Sequence, residues 1–442
     1  MTADPIEGVV GPMARRLAGQ MGTRFRLYPQ TPDLDDPEEP ETVYVSSPVG
    51  TVGEGPADDR MYTVFPLDKP THYGLHDEAS GRPVLFLPPW KDDIHLPAQP
   101  GPDGHFDHIE TNTPEFFMAH MFGATRFTLD IWEGYFDRQI EWHFREDYDR
   151  LEISIIPKVD NAFLGWGFLE AGGMESEGKY SPFFLNFDVI AHEVGHAIVY
   201  SEIGMPSEHA DEPEYFGFQE SMADIVALMA SLHFDSVTTS LLNNTSGNLY
   251  TYNKLSRFAE MSDNNQIRLA ANDHVMSEFV NGWDSEHKLA QPLTGALFDI
   301  FVDMFHEELL VLGLIPQELE EMSDRLEGDP DYSNILQDDF DKFYALNPAG
   351  FKQALELARD QLGTFVADAI PMFGTRQISF YEFGKALEEV DQALTGGENY
   401  KIIHRNFLLR EIGKFEPGPR LKKPDKHSHS LTDRTISPRD LE

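Results

Sequence analysis

Between Phe187 and Gly204 the chain reads FDVIAHEVGHAIVYSEIG, and this stretch constrains the molecule more than any other. It is an apolar run that reads as a buried helix, yet it carries two histidines and a glutamate. In an α-helix, positions four apart share one face. His192 and His196 therefore present two imidazoles to one point, as a tetrahedral zinc ion requires. Glu193 is rotated by roughly 100° from His192. It is badly placed to chelate the same ion but well placed to reach a water bound to it, which is the mechanical content of HExxH.

The motif is short, so the identity of a third ligand decides how it is read. A metzincin needs a histidine six positions after the second one, preceded by a glycine. Those positions are Glu202 and Val199, which excludes that arrangement. A carboxylate on a second helix is the other standard solution, and YFGFQESMADIVALMASLHF supplies Glu220 with Asp224 one turn later. Two acids in an otherwise apolar helix are unfavourable unless paired. Glu220 on the metal, with Asp224 accepting the outer N–H of a ligand histidine, would satisfy both.

With these pieces in order, the chain resembles the thermolysin-like gluzincin zinc metallopeptidases, which pair HExxH with a downstream E-x-x-x-D. The resemblance covers about residues 110–310 through specific motifs, and 310–415 only as a helical region. It implies an α+β fold of two lobes, β-rich then α-helical, with the zinc site between them. DNAFLGWGFLEAGG looks like the family's edge strand that aligns peptide by main-chain pairing, with Asn161 and the Ala162 carbonyl as contacts. SEHKLAQPLTGALFDIF resembles the segment in which a histidine precedes a helix, which makes His287 the donor to the developing oxyanion. Tyr215 is the implied tyrosine at the oxyanion, Arg257 in KLSRFAEMSD is matched to the arginine on a substrate carbonyl, and Gln219 stands with Asp224 around the ligands.

One departure concerns calcium. Asp188 matches an acid of the family's calcium cluster, but its partner position is Ser231, so the paired calcium site is expected to be missing and Asp188 to serve as a helix N-cap. The implied activity is endopeptidase cleavage of peptide or protein substrates. Zinc-bound water would attack, Glu193 would move its proton to the leaving amine, and zinc with His287 would stabilise the gem-diolate. Two other readings are a non-proteolytic metal-binding scaffold and a gluzincin aminopeptidase. The second lacks a GAMEN-like stretch before His192, and retention of Glu193 argues against the first.

Length and texture divide the chain. At 442 residues, 40% hydrophobic and 12% aromatic, it is globular and long enough for two or three domains. Residues 1–105 are rich in proline, glycine and aspartate with short strands such as MYTVFPL and RPVLFLP, and have no assigned role. A β-rich part over 106–205 ends in the HExxH helix, an α-helical part over 206–415 holds the third ligand, and 416–442 reads as a disordered tail. Cysteine is absent, which excludes disulfides and thiolate ligands. No signal peptide or apolar membrane span is visible, so the expected chain is soluble, either cytoplasmic or exported by an unseen route.

The charge is extreme: 34 basic against 76 acidic residues, net −42. Such a surface repels nucleic acid and anionic lipid, and excludes both as partners. Its self-repulsion is screened by salt, so the acidity fits adaptation to high ionic strength. The expected result is a melting temperature that rises between low and molar salt; an unchanged or falling value contradicts salt adaptation.

Overall fold

The computed structural model describes residues 22–30, 39–77, 83–176, 178–206, 212–249, 257–262, 265–269, 272–326, 332–373 and 378–421. The fold is mixed α+β, with strands in the first part and helices dominating after residue 186. The strands are β1 (Gly22–Leu27), β2 (Glu41–Pro48), β3 (Met61–Val64), β4 (Gly74–Asp77) and β5 (Pro83–Phe86) before the first long helix, α1 (Pro114–Tyr135). Thr113 caps that helix by accepting from the Phe116 N–H, with Pro114 at its start and Glu115 in the first turn. Strands β6 (Leu151–Ile155), β7 (Ala162–Gly165) and β8 (Phe168–Ala171) follow, then the short hairpin β9 (Gly173–Ser176) and β10 (Lys179–Pro182).

The main sheet has the order β3-β6-β8-β7. β3, β6 and β8 run parallel, and β7 pairs antiparallel with β8, which leaves β7 at the edge. Strand β3, from the proline-rich first part of the sequence, thus shares a sheet with β6. Both faces of β6 are covered. Leu151, Ile153 and Ile155 enter the main core, whereas Glu152 turns into a buried polar network on the other side. There Tyr62 and Tyr73 each donate to Glu152 at 2.7 Å, and the Lys69 ammonium bonds Glu170 at 2.5 Å while lying over the Tyr73 ring. Burial pushes the Glu170 carboxyl up to about 7, against the opposing pull of Lys69. This network ties the segment around residues 62–90 to the sheet.

The helices after the sheet are α2 (Phe187–Ile203), α3 (Pro213–Ser231), α4 (Asp235–Thr245), α5 (Glu286–Val311), α6 (Gln317–Leu326), α7 (Tyr332–Leu346), α8 (Pro348–Ala369), α9 (Phe380–Leu394) and α10 (Tyr400–Leu409). A further hairpin, β11 (Arg257–Ser262) with β12 (Asn265–Leu269), precedes α5. Both α2 and α3 are buried on nearly all sides; that explains why their sequences lack a polar face. One continuous apolar core runs from Phe25 on β1 to Phe407 on α10. Among the described residues, no single helix is long and apolar enough to cross a membrane.

Helices α2 and α3 form an antiparallel pair laced by polar contacts along its length. Ser231 donates to Asp188 at 2.7 Å at one end, and Tyr215 donates to the Gly204 carbonyl at 2.8 Å at the other. Between them His192 meets Asp224, His192 and His196 meet Glu220, and Tyr200 meets Gln219. The cap of α2 differs from expectation. Asn186, not Asp188, accepts the first free amides, those of Asp188 and Val189. Asp188 sits inside the first turn, where its carboxylate favours the positive helix end and accepts from Ser231. The segment expected to begin a loose tail at 416 also differs. Gly418 donates to the Phe279 carbonyl, and Arg420 pairs with Glu286 and lies over the Trp283 ring; residues 422–442 lie outside the described residues.

The helix pair closes most tightly at Gly195. A Cβ placed there would lie 2.6 Å from the Ala223 Cα, a backbone atom that cannot swing aside. Gly195→Ala must therefore push α2 and α3 apart, with a destabilisation of about 1–3 kcal/mol from overpacking. Thermal unfolding is expected to show a clear fall in melting temperature; an unchanged value contradicts this close approach.

Candidate metal centre

Gly195 and Ala223 mark the crossing, and the polar residues flank it with the same offsets on both helices. His192 and His196 stand three before and one after Gly195, and Glu220 and Asp224 stand three before and one after Ala223. Close helix contact thus brings all four side chains to one level. His192 Nε2 lies 3.5 Å and His196 Nε2 3.9 Å from the same Glu220 oxygen, Oε2. His192 Nδ1 lies 3.0 Å from Asp224 Oδ1. A carboxylate only accepts, so this contact places an imidazole proton on Nδ1 and makes Nε2 the nitrogen that can ligate a metal.

These four residues are almost wholly buried, with Glu220 and Asp224 each 1% exposed. Burial raises the Glu220 carboxyl, but His287, His196 and His192 outweigh it and hold the group well below the usual carboxylate range. Glu193 is 9% exposed, and its carboxylate lies within 4.8 Å of donor nitrogens on both His192 and His196. The donor set fits zinc. A tetrahedral ion with bonds of roughly 2.0–2.1 Å sets its ligand atoms roughly 3.3–3.4 Å apart. The two Nε2–Oε2 separations, 3.5 and 3.9 Å, need only a small contraction to match. Two imidazoles and one carboxylate, without sulfur, suit that ion chemically and leave a fourth position for water.

The structure gathers most of the sequence-predicted residues and sets Tyr215 apart from them. His287 lies in the first turn of α5 rather than in a loop before it, with Ser285 as N-cap. Its side chain is 49% exposed, and Nδ1 stands 2.7 Å from Glu220 Oε2, so it forms the solvent side of the cluster. Gln219 is buried beside Glu220, its Nε2 reaching Oε1 at 3.4 Å. Asn161 precedes edge strand β7, and its side chain accepts from the Ala162 N–H at 3.0 Å. Strand β7 packs against α2, and no other described strand pairs with its outer edge.

Tyr215 is a correction. It is fully buried and its hydroxyl is committed to the Gly204 carbonyl, where it braces the end of α2. It lies five residues before Glu220 and so points about 140° away around α3, which removes it from the oxyanion role. Arg257 starts β11, which lies beside α2; its side chain lies outside the described residues. Sequence reasoning missed Tyr200, whose ring stacks on His196 with centroids 6.0 Å apart. The signal was available: His192, His196 and Tyr200 recur every four residues along one helix face.

No family model matches the chain, and no curated protein matches it in sequence. Among solved structures, the precursor of protealysin, a metalloproteinase from Serratia proteamaculans, aligns with 71% of this chain and 84% of that one, at 13% identity and a TM-score of 0.38. At that level the chemistry of the site rests on its own geometry.

Proposed function

We propose that the protein is a zinc-dependent endopeptidase. The observation that carries this reading is the convergence of His192 Nε2 and His196 Nε2 on one oxygen of Glu220, with the Glu193 carboxylate within 4.8 Å of both imidazoles. His192, His196 and Glu220 would hold the ion. Bound zinc would supply a Lewis acid and lower the pKa of a water at its open position.

Glu193 faces that position from the next residue of the helix, and is assigned to take a proton from the water and return it to the leaving amine. Asp224 keeps His192 in the tautomer whose Nε2 lone pair can bind the ion. His287, half exposed at the rim, is the side chain placed to donate a proton or hydrogen bond to the substrate oxygen. The outer edge of β7, beside Asn161 and Ala162, would take peptide as an added strand, which explains binding with few side-chain contacts. Arg257 is retained for a substrate carbonyl.

A peptide blocked at both ends tests this reading. Zinc-loaded wild type is expected to cleave it internally at low or high salt, and chelator to abolish cleavage. Glu193→Ala is expected to keep its zinc and to lose roughly 10²–10⁴-fold in kcat. A blocked peptide left intact by zinc-loaded protein under all conditions contradicts the endopeptidase, and cleavage restricted to peptides with a free amine points to an aminopeptidase.

A further inference from the structure

Tyr200 has no place in the chemistry assigned above, yet it touches the supports of two of the three metal donors. It is 2% exposed and follows His196 by one helical turn. Its ring lies nearly parallel to the His196 imidazole, at an interplanar angle of 16°. Its hydroxyl donates to Gln219 Oε1 at 3.2 Å across the α2–α3 contact.

That hydrogen bond fixes more than a tyrosine. A carboxamide has an acceptor end and a donor end. With Oε1 accepting from Tyr200, Gln219 turns its Nε2 toward Glu220 Oε1, at 3.4 Å. The reversed amide would set its oxygen against a carboxylate oxygen, two acceptors facing each other in a buried site where repulsion is strong. Glu220 Oε1 is thereby held from behind, and Oε2 is the oxygen left facing His192 Nε2 and His196 Nε2.

We infer that Tyr200 is a positioning residue for the metal. Acting through Gln219, it makes Glu220 a one-oxygen ligand through Oε2, while its ring holds the plane of His196. This rests on the zinc reading and concerns affinity for the ion rather than a step of the reaction.

The test is zinc affinity of the full chain, measured by competition with a chromophoric chelator, alongside thermal unfolding of the metal-free protein. Tyr200→Phe keeps the ring and removes the donor. It is expected to weaken zinc binding about 10-fold, within the range known for residues that orient metal ligands, while the metal-free melting temperature moves little. Gln219→Leu should weaken zinc at least as much. The double variant should lose no more than Gln219→Leu alone, because the two residues act in series. Zinc affinity of Tyr200→Phe within twofold of wild type overturns the inference, and so do losses that add fully in the double variant. A wild-type chain that binds no zinc instead removes the proposed function, and this inference with it.

Discussion

Two buried helices touch at backbone distance where Gly195 meets Ala223, and the arrangement of the site follows from that contact. A side chain at position 195 would hold α2 and α3 apart and with them every polar pair between the helices. Glycine inside a helix is intrinsically unfavourable by roughly 1 kcal/mol relative to alanine, so its presence here reflects the geometry it permits. The matching offsets of His192 and His196 about Gly195, and of Glu220 and Asp224 about Ala223, convert one crossing into four converging side chains. Burying two carboxylates in an apolar helix pair is then compensated by the imidazoles they face.

The same contact explains which parts of the site were legible in the sequence. His192, Glu193 and His196 are related by helical periodicity alone, and so are Glu220 and Asp224, so local spacing specifies each set. Joining the two sets required only the inference that buried acids need partners; Asp224 Oδ1 lies 3.0 Å from His192 Nδ1. Tyr215 could not be resolved that way. Whether its hydroxyl faces the cluster or the end of α2 depends on how far round α3 it sits once the hairpin has closed, and it sits on the far side. Asp188 is not the cap of α2, because Asn186 accepts the amides while Asp188 accepts from Ser231 across the pair.

The fold divides along the same line between local and non-local information. Helices α2 and α3 were legible from their apolar runs. The parallel pairing of β3 with β6 was not, because the partners lie about ninety residues apart and a strand carries no mark of its neighbour. The proline, glycine and aspartate of the first 105 residues gave no sign of contacts such as Lys69 with Glu170 and the Trp90 amide with Glu152. In a chain with net charge −42, those acids are distinguished from the solvated majority only by their burial on the sheet.

X-ray absorption at the zinc edge of the metal-loaded protein bears most directly on the central claim. The expected result is one zinc per chain, with only nitrogen and oxygen neighbours at roughly 2.0–2.1 Å and outer-sphere scattering from two imidazoles. That scattering should fall to one imidazole in His192→Ala or His196→Ala, and remain at two in Glu220→Ala. No bound zinc at the edge, or scattering that remains at two imidazoles after either histidine is removed, would contradict the assignment of His192, His196 and Glu220 as the metal centre.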